Sequence, residues 1–165
     1  MIVIFWGDNM LKRKLYNSLL EWKEKSQGKS ALLIDGARRI GKSIFVRVWK
    51  NEYKSYSNYW FWKYFKRNSW FIWKWSSNLD LFFIKLSAFY GVQLFRRESL
   101  IVFDEVQQFP KARQLIKYLV KDGRYDYIET GSLLSLKRNT ENIILPSEEK
   151  HIQMYPLDFE EFYGH

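Results

Sequence analysis

At 165 residues the chain is long enough for one domain with a sizeable core. It has no cysteine, which excludes disulfides and thiolate metal sites. It also has no apolar run of the ~18 residues that a membrane-spanning helix needs. The net charge of +9 admits nucleic acid as a partner. Residues 1–6 are too short for a secretory apolar region and lack a basic start, so the cytoplasm is the expected compartment.

Met10 opens an amphipathic helix with Leu11, Leu15, Leu19 and Trp22 on one face, and reads as the natural start of the domain. Residues 21–29 read as a polar link with a turn at Gly28. Ala31-Leu32-Leu33-Ile34-Asp35 is a short apolar run suited to a buried parallel strand. Directly after it comes Gly36-Ala37-Arg38-Arg39-Ile40-Gly41-Lys42-Ser43, which fits G-x-x-x-x-G-K-[ST], a phosphate-binding loop. The two glycines let the backbone turn tightly and bring successive N–H groups to phosphate oxygens. The helix that follows, with Ile44, Phe45, Val48 and Trp49 at helical spacing, offers its positive end to the same anion. Lys42 can reach the β- and γ-phosphates, and the Ser43 hydroxyl can hold Mg²⁺, a hard cation that wants oxygen ligands. Arg38 and Arg39 are candidates for contact with phosphate or a neighbouring subunit, with solvated loop charge as the alternative.

Residues 54–79 differ from everything around them. Eleven of these 26 residues are aromatic, against 32 of 165 in the whole chain, and the window holds five basic residues and no acid. Outside it the net charge is only +4. Neither a helical nor an alternating period runs through it. Three readings stay open. It is an aromatic and basic surface for single-stranded nucleic acid, where bases stack on rings and Lys meets phosphate. It is a membrane-interface segment, a zone that suits Trp and Lys. Or it is a stretch read in a displaced frame between about Ser57 and Ser76, because a shift of one nucleotide turns the only Trp codon into a Gly codon. In the last case the second strand of the domain is lost.

Leu79–Tyr90 should be helical and end at Gly91 as a C-cap. Ser99-Leu100-Ile101-Val102-Phe103-Asp104-Glu105 reads as a buried strand ending in two acids. A carboxylate at such a strand end, beside a phosphate loop, can hold Mg²⁺ through water, and a following Glu can orient or deprotonate the attacking water. Those roles fall to Asp104 and Glu105. Pro110 precedes a helix expected over 112–121 and closed near Gly123. Tyr125-Asp126-Tyr127-Ile128-Glu129-Thr130-Gly131-Ser132 reads as a strand entering a polar turn, where Thr130 or Ser132 could sense the γ-phosphate or position water, unless this is ordinary turn chemistry. Residues 143–145 and 151–155 are expected to pair as short strands, and His151 stands without a second metal ligand. Residues 158–165 read as a helix just starting.

The series GARRIGKS, LIVFDEVQ, YIETGS and MYPLDFEEF resembles the N-terminal ATPase part of a prokaryotic AAA-type family of ATP-binding proteins. The resemblance covers roughly residues 10–53 and 79–163. Relatives usually continue into a C-terminal domain of poorly defined function, so a truncated product is expected, with the usual sensor arginine beyond its end. The resemblance implies an α/β P-loop NTPase domain over residues 10–165, mainly parallel, with helices on both sheet faces. It implies ATP and Mg²⁺ as ligands, with Lys42, Ser43, Asp104 and Glu105 matched directly and Thr130, Gly131 and Ser132 on the polar turn. It also implies assembly with a second copy or a partner protein. The expected function is Mg²⁺-dependent ATP binding and hydrolysis as the nucleotide-driven module of a larger protein. The alternatives are an ATP-binding switch or inactive remnant without turnover, and an aromatic–basic nucleic-acid binder.

Overall fold

Short runs of consecutive apolar residues, 31–34 and 100–103, form two of the three central strands of a parallel sheet in the computed structural model, which describes residues 14–59, 78–108, 110–132 and 148–163. The elements are α1 (Leu15–Ser26), β1 (Ala31–Gly36), α2 (Lys42–Trp49), β2 (Ser55–Tyr59), α3 (Leu79–Tyr90), β3 (Ser99–Phe103), α4 (Pro110–Asp122), β4 (Asp126–Thr130), β5 (Glu149–Met154) and α5 (Phe159–Tyr163). The strand order is β2-β3-β4-β1-β5, and every pair is parallel.

Alternation along the strands divides the core into two layers. Ala31 and Leu33 of β1 face Phe82, Phe83 and Leu86 of α3 and Leu115, Ile116 and Leu119 of α4. Leu32 and Ile34 face Leu19 and Trp22 of α1 and Phe45, Val46 and Trp49 of α2. With helices on both faces, β1, β3 and β4 are buried along their whole lengths; β1 and β3 are accordingly near-continuous apolar runs, whereas β4 buries Asp126, Glu129 and Thr130 beside Tyr127 and Ile128. Each Leu or Ile so buried contributes about 1.5–3 kcal/mol relative to exposure. This is the expected α/β architecture.

Local chemistry sets most ends. The Asn78 side chain caps α3 by accepting the Leu81 N–H at 3.0 Å, and Gly91, with φ +62°, closes it. Pro110 sits within α4 as its first residue rather than just before it, where its missing N–H costs nothing. Asp158 and Glu161 form a reciprocal cap on α5: Glu161 N–H donates to Asp158 Oδ1 at 2.8 Å, and Asp158 N–H to Glu161 Oε2 at 3.2 Å.

Three expectations change. The stretch expected as a polar link from residue 21 is helical to Ser26, because Trp22 and Ser26 continue the buried face while Glu21, Glu24 and Lys25 face solvent. A second strand is present: Ser55–Tyr59 forms β2 and runs in register with β3, Ser55 beside Ser99 and Tyr59 beside Phe103. Residues 60–77, the remainder of the aromatic window but for its last two residues, lie outside the described residues, as do 143–145. The late strand begins at Glu149 and lies parallel to β1, from Ala31 beside Glu149 to Gly36 beside Met154. No helix among the described residues is long and apolar enough to cross a membrane.

Candidate nucleotide site

The carboxyl ends of β1, β3 and β4 meet where the strand order places β4 between the other two. β1 ends on Gly36, with φ +150°; a Cβ there would lie 2.3 Å from Met154 O and 2.7 Å from Ile40 Cδ1. Any side chain would push the loop off β5. Gly41 has open space around it, yet its φ of +93° favours glycine. The first backbone bond of α2 runs from Phe45 N–H to Gly41 O at 2.9 Å. The N–H groups of Lys42, Ser43 and Ile44 therefore have no acceptor inside the helix, an arrangement that suits an anion at its start.

Lys42 is almost fully buried and folds back over the loop. Its Nζ donates to Gly36 O at 3.1 Å and Ala37 O at 2.7 Å. Burial pulls its pKa below the ordinary lysine value, against the opposing charges of Glu105, Asp35 and Asp104. An ammonium held by two carbonyls in an acidic surround is positioned to exchange those weak acceptors for phosphate oxygens.

Register brings the acids in. Val102 lies beside Ile128, so Asp104 and Thr130, two residues further along each strand, lie together on the α2 side of the sheet. The Ser43 hydroxyl donates to Asp104 Oδ1 at 3.0 Å across 61 positions of sequence. The buried Thr130 hydroxyl donates to the same oxygen and accepts the Glu105 N–H at 3.0 Å. Thr130 thus joins the two acids, and its one proton is spent on Asp104.

Glu105 has φ +55°, a left-handed conformation that costs a non-glycine residue about 1–2 kcal/mol. Three contacts hold it there. Its N–H reaches Thr130, its carbonyl accepts the Gln108 N–H at 2.8 Å, and its carboxylate accepts a hydrogen bond from Gln107 Nε2. Gln107 is buried as well, and its Oε1 accepts the Ser132 N–H at 3.4 Å.

The residues named from sequence at this end, from Gly36 to Ser43 with Asp104, Glu105 and Thr130, come together at the carboxyl ends of the central strands. Arg38 and Arg39 are exposed on the loop, Arg39 with φ +64°. His151 does not join the site. It lies on β5, its Nε2 2.9 Å from Asp35 Oδ1, and no group of three or more acids or histidines among the described residues could hold a metal ion. Ser43 Oγ and Asp104 Oδ1 are hard oxygen donors beside a phosphate cradle. They suit Mg²⁺, which takes one or two protein ligands and fills its remaining positions with water and phosphate. Two residues carry no assignment in the sequence, Gln107 and Asp35. Gln107 closes the series LIVFDEVQ, two residues after Glu105, with no role given to it there; Asp35 gives no signal, since an acid before the first glycine reads as the end of a strand.

A family model described as AAA domain matches residues 28–163, most of the chain. No curated protein matches it. Loop, acid pair and parallel sheet agree with that match: the chain belongs to the AAA domain family of P-loop ATPases.

Proposed function

We propose that the protein binds ATP with Mg²⁺ and hydrolyses it, acting as the nucleotide-driven module of a larger assembly. The observation that carries this reading is the Ser43–Asp104 hydrogen bond, which joins the phosphate loop to the acidic strand end beside the buried Lys42. The backbone N–H groups at the start of α2 and the Lys42 ammonium take the β- and γ-phosphates. Ser43 and Asp104 hold the metal, which when bound neutralises charge that builds on the phosphate oxygens.

Glu105 takes the proton of a water whose oxygen attacks the γ-phosphorus. The bond to the β–γ bridging oxygen breaks, and ADP leaves with that electron pair. Lys42 stabilises charge that develops on the transferring group. Thr130 orients Asp104 and Glu105.

ATP affinity and turnover of three proteins test this. Lys42→Ala should lose most ATP binding. Glu105→Gln should keep it while kcat falls by about 10²–10⁴-fold, the usual contribution of a general base. Wild-type turnover that persists in both variants would sink the ATPase reading. Tight ATP binding without wild-type turnover would leave a switch. Salt-sensitive oligonucleotide binding without ATP binding would favour the aromatic–basic window instead.

A further inference from the structure

We infer that Gln107 is a positioning residue for hydrolysis, holding the Glu105 carboxylate in the site and linking it to the turn after β4; this rests on the hydrolytic reading above. Gln107 is buried and touches Glu105. Its amide nitrogen donates to Glu105 Oε2, while its amide oxygen accepts the Ser132 N–H. Only one orientation of the amide satisfies both, because a carboxylate cannot accept from an oxygen and an N–H cannot donate to an NH₂.

The chemistry selects this side chain. An amide donates to a carboxylate without bringing a charge, so it fixes the direction of Glu105 without neutralising it. A Lys or Arg there would form an ion pair and compete with Lys42 for the same acid. The short helical turn Val106–Gln108 supplies the reach, since it folds the residue two positions on back toward Glu105. Glu105 is held at both ends, its backbone N–H by Thr130 and its carboxylate by Gln107. Both holders are attached to β4 or the turn behind it. Movement of Gly131 and Ser132 is therefore passed to the base through Gln107. Gly131 is itself tied to the strand under the phosphate loop, its N–H donating to Ile34 O at 3.1 Å.

The test is a split between binding and chemistry. In Gln107→Met, which keeps length and loses both hydrogen bonds, kcat should fall by about 10- to 100-fold, the scale of loss when a catalytic group is misplaced. KM and the equilibrium affinity for ATP should stay within about twofold of wild type. In a Glu105→Gln background the same replacement should change kcat by less than about twofold, because a residue that acts through Glu105 has nothing left to position. Gln107→Ala carries the same expectations if Met perturbs the packing.

Wild-type kcat in either Gln107 variant overturns the inference alone. So does a parallel collapse of ATP affinity, or a full loss of kcat added to that of Glu105→Gln. A wild-type protein that binds ATP but never hydrolyses it overturns this inference together with the hydrolytic reading.

Discussion

Glu129 is fully buried on β4, one residue before the hydroxyl that joins the two site acids. It points to the other sheet face, toward Arg113 of α4. Arg113 Nη2 lies 2.7 Å from both Glu149 carboxylate oxygens, and its Nε lies 3.4 Å from Glu129 Oε2. One guanidinium thus serves two carboxyls, and Glu149 has the better share. Burial first, and then the charge of Glu149, hold the Glu129 carboxyl well above the usual carboxylate range, with Arg113 pulling the other way. The sign of the pH effect follows. A raised folded-state pKa gives stability that is fully present below the ordinary value of 4.5 and is lost as pH rises through the folded value. Glu129→Gln keeps the neutral form and removes that loss. Urea unfolding of both proteins between about pH 5 and about pH 8 should show the variant gaining on wild type by up to about 1.4 kcal/mol per pH unit. Parallel stability curves would mean that Glu129 is ionised in the folded protein.

At the scale of elements, the amino ends of three strands are fastened to one buried acid, at the far end of the sheet from the site. Asp126 opens β4. Its Oδ2 accepts the Tyr53 hydroxyl at 2.9 Å from the segment entering β2, and its Oδ1 lies 2.7 Å from Arg97 Nη1 on the segment entering β3. Burial, reinforced by Asp126, pushes the Tyr53 phenol far above its ordinary value, so it stays a donor. Gly28 makes room for this arrangement, since a Cβ there would lie 2.2 Å from Arg97 Nη1. Asp126→Ala strands a partly buried hydroxyl and a partly buried guanidinium at once. It should cost about 3 kcal/mol in urea denaturation while leaving the ATP affinity of the folded fraction unchanged. A cost under about 0.5 kcal/mol would place the fastening elsewhere. None of this is visible in sequence, because Tyr53, Arg97 and Asp126 belong to no common period or motif. What was legible is local: the apolar run of β1, the glycine loop, the C-cap glycine of α3, and the acids ending β3. The partner of β5 was not, because parallel pairing joins segments separated by the whole sheet, whereas turn chemistry suggests only neighbours. Glu129 is hidden for the same reason, its partners lying on α4 and β5.

At the scale of the molecule, the site exists only in the folded chain. Gly36, Lys42, Ser43, Asp104 and Thr130 come from three strands and a helix that converge only when the sheet forms in the order β2-β3-β4-β1-β5. A ligand that needs all of them binds the native state and not the unfolded one, so it must raise stability by an amount fixed by its own affinity. At a concentration about 100 times Kd, ATP with Mg²⁺ should add about 2.7 kcal/mol, which for a domain of this size is a rise in Tm of about 5–10 °C. The rise should vanish in Lys42→Ala, whose buried ammonium is exchanged for a methyl group. It should persist in Glu105→Gln, where the phosphate contacts are intact and only the base is changed. Binding through the aromatic and basic residues of the 54–79 window behaves differently: its effect on Tm would follow net charge, weaken with salt, and ignore Lys42. A melting shift that tracks Lys42 and resists salt therefore locates nucleotide binding at the phosphate loop, and one that tracks salt and ignores Lys42 removes it from there.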